Sequence, residues 1–142
     1  MHIMTKASKL KQDIHPCEGA AQKIIDVNTG EVKVAVEKGI LRSVGIGSCV
    51  VVAAYNFSRK IGGMAHIMLP GTAPQQSLEK TKYAVDGIEQ LLNKMLEAGA
   101  GTDEIEVCLV GAANILKKND DTICDANIES VIDILKEKNI PI

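Results

Sequence analysis

Two apolar runs rich in β-branched residues constrain the fold more than any other feature of this sequence. The runs are SCVVVAAY (48–55) and KIGGMAHIM (60–68), and only the polar connector NFSR (56–59) separates them. Runs of this length bounded by polar residues are typical of strands, and a connection this short joins antiparallel neighbours. The sequence therefore predicts a central β-hairpin.

Further strand patterns lie on both sides of the hairpin. KIIDV (23–27) and EVKVAV (31–36) are predicted as two short strands joined by the Asn/Gly turn NTG (28–30). ILRSV (40–44) is a third candidate strand, and EIEVCLVGAA (104–113) is predicted as a buried one.

Two helices follow from the spacing of apolar residues. Ser77 can cap a helix from about Leu78 to Ala98, and Asp125 or Asn127 can begin a second helix near the C-terminus. Strands first, then helix, strand and helix, predict an α+β fold in which two helices cover one face of a mixed sheet.

The length of 142 residues suits one domain with one core. Residues 1–20 are polar and without pattern, so we expect a flexible N-terminal arm followed by a single domain over 21–142.

Charge and composition argue against two classes of partner. The 16 basic and 18 acidic residues form no block of one sign, and aromatic residues make up only 2% of the chain. Nucleic-acid binding is therefore not expected, because it needs basic patches or stacking faces. No apolar run approaches the length of about 18 residues that crosses a bilayer, so we expect a cytosolic protein without membrane insertion.

The four cysteines are widely spaced and include no C-x-x-C pair, which argues against a disulfide framework and against a structural zinc site. His15 and Cys17 could supply two metal ligands, but no second pair accompanies them. We therefore expect no metal. Cys108 is predicted as a packing residue and Cys124 as a loop or helix-start residue.

The hairpin brings Cys49 near His66 in two of its possible registers. A two-residue turn at 57 and 58 places the two residues opposite each other, and a four-residue connector makes them diagonal neighbours on one face. An odd loop length without a bulge would place them on opposite faces.

A cysteine beside a histidine suits nucleophilic catalysis, because attack on a carbonyl carbon needs a thiolate and imidazole can take the proton. The glycines of GIGSC (45–49) free the backbone, so that N–H groups around Gly47 and Ser48 could converge on an oxyanion. The alternative stays open: Cys49 as a small core residue and His66 as a hydrogen-bonded core histidine.

The stretch SVGIGSCVVVAAYNFSRKIGGMAHIMLP (43–70) resembles the signature of the CheD family, the chemoreceptor glutamine deamidases, with its L-G-L-G-S-C-V and G-G-M-A-H-x-M-L-P motifs. The resemblance implies a layered α/β/β sandwich in which Cys49 is the catalytic cysteine and His66 the catalytic histidine. The threonine that the family carries six positions before the cysteine falls on Ser43, which keeps the hydroxyl and loses the methyl group.

By this resemblance, the chain hydrolyses the side-chain amide of glutamines in methyl-accepting chemoreceptors without a metal or organic cofactor, and a CheC-type phosphatase is a second partner. Two departures accompany it: the family's G-G-A is Gly111-Ala112-Ala113 here, and its I-G-x-R-N is ICDAN (123–127). They keep open an alternative, a CheD-like module that binds the phosphatase or a receptor with little or no catalysis.

Overall fold

The computed structural model describes residues 21–115, 117 and 122–142. The expected arm at 1–20, with His15 and Cys17, lies outside the described residues. The described part has an α+β fold, as predicted. Its elements are β1 (Ile24–Asp26), β2 (Val32–Val36), β3 (Ile40–Arg42), β4 (Val50–Asn56), β5 (Ile61–Ile67), a 3₁₀ turn (Lys80–Lys82), α1 (Ala84–Glu97), a 3₁₀ turn (Thr102–Glu104), β6 (Glu106–Gly111) and α2 (Ile123–Glu137).

The main sheet has four antiparallel strands in the order β2-β5-β4-β6. The predicted hairpin is confirmed as β4 and β5, with Asn56 opposite Ile61 and a four-residue connector between them. Asn56 stabilises this turn, because its buried Oδ1 accepts hydrogen bonds from the Ser58 hydroxyl and from the Arg59 N–H, at 2.9 and 3.0 Å. These bonds fix the hairpin in the register with a four-residue connector.

Both helices pack on one face of this sheet, where the core lies. Alternate residues of β4 and β5 point to this face, as the twofold repeat of a strand requires. They pack with apolar residues of the helices into one cluster, which includes Val50, Val52, Ala65, Ile67, Ile88, Leu91, Met95, Val131 and Leu135. Gly63 allows the close approach of α1, since a Cβ there would lie 2.7 Å from Leu91 Cδ1.

A two-stranded parallel sheet of β1 and β3 lies toward the other face, which gives three layers. The two strands predicted on either side of the Asn/Gly turn, β1 and β2, both exist but do not pair with each other. The turn exists, with Gly30 at φ 79°, but β2 pairs with β5 instead. The pairing continues into the turn, because Gly30 N donates to His66 O at 2.8 Å and His66 N donates to Glu31 O at 3.1 Å. Pairing with the central hairpin buries Val32 and Ala35, which a hairpin with β1 would leave less covered.

The first helix begins six residues later than predicted, and Ser77 is not its cap. The carbonyl of Lys82 accepts hydrogen bonds from Met68 and Leu69, both at 2.9 Å, and Tyr83 is extended and bridges to Leu69. These contacts with the chain after β5 hold residues 82 and 83 out of helical geometry. Helix α1 therefore starts at Ala84.

The second helix begins at Ile123 rather than at Asp125 or Asn127, so Asn127 lies inside it. Among the described residues, none of the helices has the length and apolar character that a bilayer span requires.

Candidate active site

His66 lies near the end of β5, at the centre of the main sheet, on the face toward the small sheet. Its side chain is fully buried at 0% exposure. Val51 on β4 faces it across the hairpin, and on the other side its backbone bonds to Gly30 and Glu31. Strands on both sides therefore fix the position of the ring.

One ring nitrogen of His66 is bound to Ser43. Nδ1 lies 2.8 Å from Ser43 Oγ, and that hydroxyl donates its single proton to Val27 O at 2.8 Å. Ser43 Oγ can then only accept from the ring, so the proton of the imidazole lies on Nδ1. The other nitrogen, Nε2, is buried and has no hydrogen-bond partner among the described residues. In the tautomer that carries its proton on Nδ1, the lone pair of the ring lies on Nε2.

The small sheet places Ser43 at the ring. Val27 follows β1 and donates its N–H to Arg42 O at 2.7 Å, which continues the parallel pairing to the residue before Ser43. The exposed pair of Arg42 with Asp26 joins the same two strands, at 2.7 Å. The β1–β3 layer therefore brings Val27 and Ser43 together above His66.

Cys49 directly precedes β4, and its backbone still follows the sheet. Its carbonyl accepts from Ala112 N at 2.8 Å, in the register that pairs Val50 with Gly111. By alternation, its side chain lies on the face of Val51 and His66. Of the two registers, the four-residue connector is the one observed, so the two residues are diagonal neighbours. The Cβ atoms of such neighbours lie about 7 Å apart, and in the described structure no hydrogen bond joins the Cys49 thiol to His66 Nε2.

Cys49 is partly buried, whereas Cys108 is exposed. The prediction of Cys108 as a packing residue in a buried strand is therefore wrong, because β6 is an edge strand and only one of its residues is buried. Burial raises the pKa of the Cys49 thiol above its ordinary value of 9.0, and its own N–H opposes this to a smaller extent. The thiol is therefore protonated at neutral pH. In the free protein the site therefore holds a thiol at position 49 rather than a preformed thiolate.

Alkylation should report this state directly. Because the pKa of Cys49 lies above 9.0, the rate of its modification by iodoacetamide should still be rising at pH 9.0, where an ordinary thiol is half ionised. Peptide mass spectrometry would follow Cys49, with Cys108 as the exposed reference thiol in the same chain. A rate that levels off at or below pH 7 would contradict this account of the free site.

The backbone next to Cys49 is fixed through its carbonyl oxygens. Ala113 N donates to Gly47 O at 2.9 Å, and Asn127 Nδ2 donates to Ser48 O at 2.9 Å. In a trans peptide the N–H points away from the C=O, so these bonds direct the N–H groups of Ser48 and Cys49 the opposite way. Neither N–H donates to another residue in the described part of the chain. Both are available to bind an oxyanion.

Of the residues that the sequence analysis selected, Ser43 contacts His66 at 2.8 Å, and Gly47, Ser48 and Cys49 lie just before β4, the strand that pairs with the His66 strand. The structure adds Asn127, which is fully buried and which the sequence analysis placed at a helix start. Its position in the family pattern at 123–127, where the asparagine is kept, was the available signal. No group of three or more His, Cys, Asp or Glu side chains within residues 21–115, 117 and 122–142 could hold a metal ion.

Comparison with known proteins identifies the family of this chain. Residues 68–142 match the family model described as CheD chemotactic sensory transduction. A protein of Chlorobium luteolum named probable chemoreceptor glutamine deamidase CheD is 38% identical over 115 residues, which are 80% of this chain and 57% of that protein. The chain thus spans a little over half the length of this relative.

Two further relatives match over more of their own length. The probable chemoreceptor glutamine deamidase CheD of Haloarcula marismortui is 32% identical over 88% of this chain and 73% of that protein. The chemoreceptor glutamine deamidase CheD of Halalkalibacterium halodurans is 34% identical over 84% of this chain and 77% of that protein. Because the family model matches more than half of its residues, this chain belongs to the CheD family.

Proposed function

We propose that this chain is a protein-glutamine deamidase that hydrolyses glutamine side chains of methyl-accepting chemoreceptors. The observation that carries the proposal is the relay from His66 Nδ1 through Ser43 to Val27 O, because it leaves a buried basic nitrogen on the face of Cys49. Three relatives at 32 to 38% identity are named for glutamine deamidation of chemoreceptors.

The first step forms a thioester. As the glutamine carboxamide enters, His66 Nε2 takes the proton of the Cys49 thiol, and the sulfur attacks the amide carbon. The negative charge that develops on the amide oxygen is stabilised by the N–H groups of Ser48 and Cys49, as in other oxyanion holes. The C–N bond then breaks, and the imidazolium gives its proton to the departing ammonia. The acyl group remains on Cys49.

The second step uses the same groups in reverse. Neutral His66 takes a proton from a water molecule, and the resulting hydroxide attacks the thioester carbon. The C–S bond breaks, Cys49 leaves as a thiolate and recovers its proton from His66, and the product is glutamate. Ser43 keeps the Nδ1 proton in place throughout, so that Nε2 serves as base and acid in turn.

Mass spectrometry of a receptor fragment tests the proposal. Incubation with the wild-type chain should raise the mass by about 1 Da per modified glutamine, and Cys49→Ala should give no rise, because the nucleophile is absent. Cys108→Ala is the matched control, since Cys108 is exposed and lies on the outer strand β6. Equal rises with wild type and Cys49→Ala would rule out a thiol mechanism.

A second candidate function is a binding module for a CheC-type phosphatase or a receptor, with weak catalysis. The raised pKa of Cys49 favours it, because a thiol that stays protonated is a weak nucleophile. So does the family difference at Ala112, which binds Cys49 O and has a φ of 55° where the family pattern has glycine. Binding of a CheC-type phosphatase by Cys49→Ala at wild-type affinity, with no deamidation by wild type, would select this function.

A further inference from the structure

The amide of Asn127 lies between the segment that carries Cys49 and the strand that carries His66. Its Nδ2 donates one hydrogen to Ser48 O at 2.9 Å and the other to Met68 O at 3.0 Å. Ser48 directly precedes Cys49, and Met68 follows His66 by two residues. One side chain therefore joins the backbones next to the two groups of the proposed reaction.

The bond to Ser48 O also fixes the direction of the Cys49 N–H. Ser48 C=O and Cys49 N–H belong to the same planar peptide, so a donor that holds the oxygen also fixes the direction of the N–H. That N–H is one of the two proposed oxyanion donors. Oxyanion stabilisation depends on donors aimed at the developing charge before the reaction begins.

Helix α2 gives this amide a rigid base. Leu135 anchors the helix in the core with 0% exposure. Ser130, one turn after Asn127, accepts from Gly71 N at 2.9 Å and so binds the loop that follows the His66 strand. Asn127 and Ser130 thus attach helix α2 to the segments that precede Cys49 and follow His66.

Burial of the Asn127 side chain should destabilise the fold, and packing alone does not explain why a polar residue lies there. Asn127 is fully buried, and its Oδ1 has no hydrogen-bond partner among the described residues. An unsatisfied buried carbonyl destabilises a fold. A role that depends on the two N–H donors accounts for a polar side chain at this place.

We propose that Asn127 is a positioning residue, which fixes the Cys49 peptide relative to the end of β5 so that the oxyanion donor and the base stay aligned. The inference rests on the proposed deamidation. Asn127→Ala should lower kcat on a chemoreceptor fragment about 10-fold to 100-fold, as small misplacements of reacting groups do, with KM changed less than about 3-fold.

The matched control is Val131→Ala, which removes a buried side chain from the next turn of α2 and leaves the two hydrogen bonds of Asn127 in place. It should lower the melting temperature while kcat, corrected for the folded fraction, stays near wild type. Asn127→Ser is a second variant, whose short hydroxyl keeps one donor. Its kcat is compared with that of Val131→Ala in the same way, and we expect a smaller fall in its melting temperature than in that of Asn127→Ala. If the Asn127 variants keep wild-type kcat, or if Val131→Ala loses as much, the positioning role is wrong.

A measurement without substrate separates this inference from the proposed function. Loss of the amide should free the Cys49 segment, so the iodoacetamide rate of Cys49 relative to Cys108 should rise about 3-fold or more in Asn127→Ala. The ratio should not rise in Val131→Ala. A wild-type chain that deamidates no receptor fragment would refute the proposed function, whereas an unchanged alkylation ratio would refute the positioning role.

Discussion

Replacing His66 with glutamine should lower kcat for glutamine deamidation by about 10³-fold to 10⁵-fold, because the same imidazole acts as base and acid in both steps. Glutamine is of similar size, and its amide can still donate to Ser43, so the buried site keeps its packing better than with alanine. Initial rates on a chemoreceptor fragment, followed by mass spectrometry, would measure the loss.

The control for this variant is the Cys49 thiol itself. Because the free thiol is not ion-paired with His66, alkylation of Cys49 at high pH should remain within about 3-fold of wild type in His66→Gln. A variant that keeps its alkylation rate and its deamidation rate would show that His66 is a core histidine without a part in the reaction.

Replacing Gly111 with alanine should destabilise the fold by about 2 to 5 kcal/mol, through backbone strain and a steric clash. Gly111 has a φ of 121°, and a Cβ there would meet the Cys49 carbonyl oxygen and carbon. The strand end could then no longer place Ala112 and Ala113 against Cys49 and Gly47, so activity should fall with stability. Denaturant unfolding and deamidation rates would measure the two effects.

Gly62 provides the matched glycine for comparison. It lies in β5 of the same sheet, and no atom lies within 4 Å of the position of an added Cβ. Gly62→Ala should leave the unfolding free energy within about 1 kcal/mol of wild type or raise it slightly, since glycine weakens strands. If the two alanine variants were equally stable, the close contact at Gly111 would not be a constraint on the site.

The sequence predicted the part of the site that depends on local pattern. The apolar runs and the short connector predicted the hairpin but left its register open, and the observed four-residue connector is one of the two registers that place Cys49 and His66 on one face. Periodicity and turn chemistry carry this information because the residues of a hairpin are close in sequence. Ser43 was indicated by the resemblance to the CheD family and not by periodicity.

The missed features depend on contacts between distant segments. Strand β2 pairs with the edge of β5, and β1 therefore pairs with β3 instead of with β2. The start of α1 at Ala84 follows from bonds between Lys82 and the chain after β5. Asparagine is a residue type that often caps helices, yet the side chain of Asn127 donates hydrogen bonds to Met68 O and Ser48 O, which are 59 and 79 residues away in the sequence. Local preference cannot reveal such partners.

Trapping of the acyl intermediate tests the account most directly. A chemoreceptor fragment mixed with an equimolar amount of this chain, quenched in acid within one turnover and examined as intact protein, should give a covalent adduct. Its mass should equal the two components less ammonia, about 17 Da, and digestion should place the adduct on Cys49. Full conversion of glutamine to glutamate with no adduct at any quench time, and with equal rates in Cys49→Ala, would contradict a thiol nucleophile beside an imidazole base.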